Sequence, residues 1–209
     1  MKKLESSFTN MVLVLTGVAV IMGGILALVN HMTEGPINAQ KAKTLADGIK
    51  TVMCVNDITV SRTDTVKQND AKGKELTYII YQTQDAQGKD LGAAVESTTG
   101  GFGGDLKVLV GFDSEGNILG YTLLEHAETP GLGAKADKWF QKGEKGDIIG
   151  KNPKEPLTVS KDGGQVDAIT ASTITSRAFL LAVNRAYNAY KDIPATDAET
   201  GATKQVKEE

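Results

Sequence analysis

A chain of 209 residues with a formal net charge of −3 carries no basic footprint, which argues against nucleic acid as a partner. Its single cysteine, Cys54, excludes an internal disulfide and any cysteine-ligated iron–sulfur cluster built from this chain alone. The two histidines, His31 and His126, form no metal-ligand cluster, so no metal site is expected.

Residues 1–10 read as a short cytoplasmic tail. Residues 11–29, MVLVLTGVAVIMGGILALV, are uncharged and apolar, and as a helix they would extend roughly 28 Å, about one hydrocarbon core. The run is long for the apolar part of a cleaved signal, and Ala27-Leu28-Val29 ends too bulkily for a usual cleavage site, so a retained single-pass transmembrane helix is expected. Ala19, Gly23 and Ala27 recur every four residues and give a small-residue stripe suited to helix packing, although such residues are common in any membrane helix. Lysines flank the span on both sides, at Lys2, Lys3, Lys41 and Lys43, so charge alone does not orient it. A short N-terminal tail usually stays inside, which places the folded part outside.

One domain is expected over 30–192. Pro36 would start a helix from about Ile37 to Met53, with Ile37, Lys41, Leu45, Ile49 and Val52 on its packed side. Strands are predicted at Thr77–Gln82, Gly92–Ser97, Leu106–Phe112 and Ile118–Leu124. The turns at 84–88 and 114–117 make their pairing antiparallel. Between the second and third of these strands lies STTGGFGGD, which lacks the Lys-Ser/Thr ending of a P-loop. Next, HAETPGLGAKADKWF holds a tight Pro130-Gly131 turn before a short helix with Trp139 and Phe140. Strands grouped together with helices at either end argue an α+β fold.

The segment VDAITASTITSRAFLLAVNRAY gathers Thr170, Ser172, Thr173, Thr175 and Ser176 at a helix entrance. Phe179, Val183, Ala186, Tyr187 and Tyr190 follow at the spacing of a buried helical face. A helix start offers unpaired N–H groups and the positive end of the dipole. A hydroxyl there can cap the helix, contact a phosphate or carry one covalently. Residues 193–209 read as a disordered polar tail.

DAITAST resembles the Asp-x-x-(Ser/Thr)-Gly-Ala-Thr signature of domains that carry FMN esterified to a threonine. Those domains occur in the G subunit of the Rnf ion-translocating electron-transport complex and in the C subunit of the sodium-pumping NADH:quinone reductase. Asp167 and Thr170 match the signature, and Ala171 and Ser172 stand where glycine and alanine are usual. Glu128 to Gly133 match the family's Glu-Thr-Pro-Gly-Leu-Gly segment intact, and the glycine-rich stretch resembles a family segment near the flavin. The resemblance implies an FMN-binding domain with an antiparallel sheet and flanking helices, and FMN joined by a phosphoester to Thr173. It implies cofactor-binding roles for Thr170, Ser172, Thr175, Glu128, Thr129, Gly131 and Gly133. No nucleophile–base–acid set for hydrolysis is present, and no catalytic residue is expected.

The implied function is a redox subunit of an ion-translocating oxidoreductase in the bacterial cytoplasmic membrane, its folded domain on the periplasmic side. Its partners would be the other membrane and redox subunits of an Rnf-type complex, and a flavin transferase for maturation. The compact chain favours the Rnf protein over its quinone-reductase counterpart. A membrane-anchored binding or scaffold module that has lost flavinylation is a third reading, motivated by Ala171 and Ser172. DAETGAT at 197–203 matches the signature letter for letter, but it lies in the polar tail with no apolar face to build a pocket. Thr203 is therefore the rival acceptor, and Thr173 the expected one.

Overall fold

The computed structural model describes residues 8–69, 73 and 75–193. Thr203 and the DAETGAT segment lie outside the described residues, as do residues 1–7 and nearly all of the expected tail. The order of elements is helix α1 (Phe8–Met53), strands β1 (Ile58–Asn69), β2 (Glu75–Asp85), β3 (Asp90–Gly100), β4 (Asp105–Phe112) and β5 (Ile118–His126), then helices α2 (Ala136–Trp139) and α3 (Thr173–Tyr190). Helices and an antiparallel sheet in separate stretches of chain make this an α+β fold.

The chain divides into two compact units, one ending at Thr44 and the other beginning at Leu45. In the first, every large apolar side chain from Met11 to Val29 is exposed. An apolar surface of this length is stable only in lipid or against other apolar helices, so the segment anchors the chain in a membrane. Where the sequence predicts a new helix begun by Pro36, the chain is helical straight through it. An internal proline removes one backbone hydrogen bond at a cost of about 3 kcal/mol, and the good helix formers that follow keep the segment helical.

In the second unit the five strands form one antiparallel meander in the order β1-β2-β3-β4-β5. The four predicted strands appear as β2 to β5, with β2 and β3 extended at both ends and β4 and β5 at one. The edge strand β1 is an addition that the pattern of apolar residues does not announce, because most of its side chains are exposed or only half-buried. Its signal was the run of β-branched residues Ile58, Thr59, Val60, Thr63, Thr65 and Val66.

Alternation along the strands feeds two cores. Leu106, Val108, Val110 and Phe112 of β4 join Phe179, Ala182, Val183 and Ala186 of α3 on one face. Leu109, on the other, joins Ile49, Val52 and Met53 at the end of α1. Gly111 and Gly120 are register partners across β4 and β5. A Cβ added at Gly120 would come 2.9 Å from the Val52 carbonyl oxygen, and one at Gly111 would collide with the same atom. Two adjacent glycines thus let the helix end lie directly on the sheet.

The sequence predicts a single buried face for α3, but the helix is buried on nearly all sides. Segment 148–169 adds Ile148, Leu157, Val159, Val166 and Ile169 to the core that α3 shares with the sheet. Asn184 fastens this segment, accepting from the Leu157 N–H and donating to the Leu157 carbonyl, each at 2.9 Å.

The hairpin between β4 and β5 is held by Asp113, whose Oδ1 accepts the N–H groups of Glu115, Gly116 and Asn117 at 2.9, 2.8 and 2.8 Å. Burial pushes its carboxyl up, but these bonds and the Asn117 amide outweigh that and hold it below its ordinary value. A depressed carboxyl contributes stability above its unfolded pKa and loses it as pH falls through the folded one. Asp113→Ala should therefore cost about 1–3 kcal/mol near neutral pH. Urea unfolding in detergent should show the gap from wild type closing as the solution is made acidic, and a gap unchanged by pH would contradict this.

Candidate functional site

Three segments meet where β5 ends, and the carboxylate of Glu128 joins them. Its Oε1 accepts the N–H of Phe102 at 2.7 Å and that of Gly103 at 3.3 Å, both in the glycine-rich loop between β3 and β4. Its Oε2 accepts the hydroxyl of Thr175, in the first turn of α3, at 2.7 Å. Glu128 and Thr175 are both buried. Room for the carboxylate comes from glycine: a Cβ at Gly101 or at Gly133 would collide with its oxygens, and one at Gly133 would also lie 2.7 Å from the Thr175 hydroxyl. A buried carboxylate is tolerable only with its oxygens hydrogen-bonded, which is how it is held here.

The turn after Glu128 is closed by the Thr129 carbonyl, which accepts the N–H groups of Leu132 and Ala134, each at 3.2 Å. Gly131 adopts φ 77° with nothing within 4 Å of the position a Cβ would take, so its backbone is open to an approaching group. From there the chain enters α2, which Tyr121 fixes to the sheet. The Tyr121 hydroxyl donates to the Ala136 carbonyl at 2.7 Å and accepts the Phe140 N–H at 3.2 Å. Burial holds the Tyr121 phenol well above its ordinary pKa, so it stays a donor throughout the working range. Phe140 and Phe179 stack with ring centres 4.3 Å apart, locking α2 against α3.

The five hydroxyls at the α3 entrance separate by environment. Ser176 is fully buried, accepting the Ile169 N–H at 2.9 Å and donating to the Ser172 carbonyl at 3.0 Å. Thr175 is committed to Glu128. Ser172 occupies the N-cap position and is buried, yet its side chain makes no capping bond to the helix. The first-turn N–H groups therefore lack the usual serine cap. Thr170 is exposed on the preceding turn. Thr173, the first helical residue, is half-buried, and its hydroxyl accepts a hydrogen bond from the Lys161 ammonium at 3.2 Å. Arg177, one turn on, forms a two-pronged pair with Asp162 at 2.6 and 2.7 Å.

Of the expected site residues, Ser172 is buried at the N-cap and Thr173 is half-buried beside Lys161, and the other six fall into two groups. Glu128, Gly133 and Thr175 are in mutual contact, while Thr129, Thr170 and Gly131 lie at the surface. Lys161, Asp162 and Arg177 were not anticipated. Arg177 was within reach of sequence, since it lies four residues after Thr173 and so on the same helical face. Lys161 reaches Thr173 only through the fold of the segment 148–169. An open cleft of about 430 Å³ lies beside the turn, between Pro130-Gly131 and Trp139, with Lys135 and Lys138 on its lining. The Trp139 indole N–H donates to the Asp167 carbonyl at 2.8 Å, tying the cleft wall to the strand of chain that leads to Thr173.

Residues 101–188, which contain all three converging segments, match the FMN-binding domain family. Over 180 residues the chain is 33% identical to the G subunit of the ion-translocating oxidoreductase complex of Vibrio cholerae, covering 83% of this chain and 86% of the relative. The protein of the same name from Shewanella oneidensis is 34% identical over 175 residues, 80% of this chain and 82% of the relative. That of Aliivibrio fischeri is 40% identical over 130 residues, 60% and 61% of the two chains. The chain belongs to this G-subunit family.

Two features of the site fit an FMN phosphate. The helix N-terminus lacks a side-chain cap at Ser172, and Lys161 places an ammonium on Thr173. The cleft beside Trp139 offers an indole face and the Pro130-Gly131 turn as apolar surface, with Lys135, Asp137, Lys138 and Glu144 also on its lining.

Ala171 sits at φ 60°, the left-handed conformation, where the signature has glycine. The backbone thus keeps the turn and bears the strain of an alanine in it. Ala171→Gly should relieve that strain, partly offset by the greater freedom of glycine in the unfolded chain. A net gain of about 0.5 kcal/mol is expected, read as a raised unfolding midpoint, with no loss of bound flavin. A lowered midpoint would show that the left-handed angle is not retained in solution.

Proposed function

We propose that this chain is a membrane-anchored electron-carrier subunit of an Rnf-type ion-translocating oxidoreductase, with FMN attached to Thr173. Membership of the G-subunit family and the FMN-binding domain carry the redox role. One observation supports the acceptor: of the hydroxyls in the α3 entrance, half-buried Thr173 is the one that accepts a hydrogen bond from a cation. Residues 11–29 serve as the span, and the domain over 30–192 stands on the outer side of the bacterial cytoplasmic membrane, the short N-terminal tail remaining inside.

Attachment is a transfer from FAD by a separate flavin transferase. The Thr173 oxygen bonds to the flavin-side phosphorus, the phosphorus–oxygen bond to AMP breaks, AMP departs and the hydroxyl proton passes to the transferase or to water. Lys161 and the first-turn N–H groups of α3 then face the one negative charge that the phosphodiester keeps. Trp139 and the Pro130-Gly131 turn would supply walls for the ring beside the open mouth of the cleft. Bound FMN accepts electrons in pairs and releases them singly. A covalent tether suits a domain outside the cytoplasm, because no free cofactor has to be recaptured there. The other subunits of the complex oxidise the substrate and move the ion.

Co-expression with a flavin transferase, followed by fluorescence of the denatured protein on a gel, tests the acceptor. Thr173→Ala should abolish covalent flavin while leaving the unfolding midpoint near wild type, and Thr203→Ala should leave labelling unchanged. Persistent fluorescence in Thr173→Ala, or its loss in Thr203→Ala, would move the bond to another residue.

A further inference from the structure

We infer that Glu128 is a positioning residue for flavin attachment, acting through the Thr175 hydroxyl to set the first turn of α3 so that Thr173 is presented to the transferase. The inference rests on the proposed flavin attachment to Thr173. Sequence alone suggests that Glu128 touches the cofactor. In the fold its oxygens accept from the Phe102 and Gly103 N–H groups on one side and from the Thr175 hydroxyl on the other.

The geometry favours a role in orientation. Thr175 is the third residue of α3 and Thr173 the first, so a bond that fixes Thr175 fixes the start of the same turn. The N-cap serine makes no bond that would do so. The carboxylate supplies an acceptor near the positive end of the helix from outside it, as a capping residue would from within. A Cβ at Gly101 or at Gly133 would meet the same carboxylate, so both glycines pack closely against it. The same group holds Phe102, which is 68% exposed, at the tip of the glycine-rich loop. One buried side chain therefore registers the loop and the Glu-Thr-Pro-Gly-Leu-Gly turn against the helix that carries the acceptor.

A positioning role and a charge role predict opposite results for glutamine. The glutamine carbonyl can face the loop N–H groups while its NH₂ donates to the Thr175 oxygen, since a hydroxyl both donates and accepts. Geometry is kept and charge is lost. Full-length variants co-expressed with a flavin transferase would be compared for covalent flavin per folded protein, with the unfolding midpoint measured alongside. Glu128→Gln should load within about twofold of wild type, because its hydrogen bonds survive. Glu128→Ala and Thr175→Val should each load roughly tenfold less, the scale of losing a hydrogen bond to a charged group. Thr175→Ser, which keeps the hydroxyl, should restore loading, and the Glu128→Ala/Thr175→Val double variant should be no worse than either single one.

Full loading of a folded Thr175→Val or Glu128→Ala protein would overturn the inference, as would loss of loading in a folded Glu128→Gln. Loss of flavin only in step with loss of fold in both Glu128→Ala and Thr175→Val would reduce the contact to one that holds the fold, and would also overturn it. Absence of covalent flavin from wild type would overturn the proposed attachment itself, which separates that failure from the others.

Discussion

A carboxylate taken out of water has to receive hydrogen bonds on its oxygens, or the cost of burying it falls on the whole fold. Glu128 meets that demand with two backbone N–H groups from the loop after β3 and a hydroxyl from α3. These partners come from distant parts of the chain, and each is brought into reach by a different device. The loop is anchored where β3 and β4 pair Gly100 with Asp105, and the Gly101 N–H donates to the Gly104 carbonyl at 2.8 Å. The helix is seated by Phe179 against Phe140 and Tyr121. The turn that bears Glu128 continues directly from β5. With the carboxylate removed, those segments would share a corner with no polar link at its centre.

The sheet from which this corner is built is covered on both faces. The end of α1 rests on the Gly111–Gly120 pair, and α3 rests on the opposite face. The segment 148–169, fastened to α3 by Asn184, also delivers Lys161 to Thr173. In the first turn of α3, Thr175 and Ser176 are buried while Thr173 stays half-buried and meets the Lys161 ammonium, and most of the helix beyond that turn is buried. A cofactor joined there would be held on a frame that the core determines.

Much of this was legible in the sequence because it rests on local chemistry. The apolar run at 11–29, the period-two strands and the Pro-Gly turn each declare themselves over a few residues. The strand β1 did not, because an edge strand with mostly solvated side chains lacks the apolar alternation that marks a half-buried one. Pro36 misled for the reverse reason: it is a strong local break signal, yet the helix runs through it. At the site, Glu128, Gly133 and Thr175 could be singled out by motif, but their direct contact could not. They are joined through tertiary packing, as is Lys161 to Thr173. Ala171 is the instructive residue, since its left-handed angle shows that the backbone of the turn can be kept without the glycine that makes it easy.

Thr173 as the residue that carries the flavin is the assignment on which the proposed function most depends. Trypsin should release a peptide from Asp162 to Arg177 that contains Thr170, Ser172, Thr173, Thr175 and Ser176. Mass spectrometry with fragmentation of that peptide and of the peptide from Asp192 to Lys204, which contains Thr203, taken from membrane-extracted wild-type protein matured with its transferase, locates the FMN residue by residue. The predicted result is FMN on Thr173 alone. Flavin on Thr203, or on any other hydroxyl of the α3 entrance, would contradict the account.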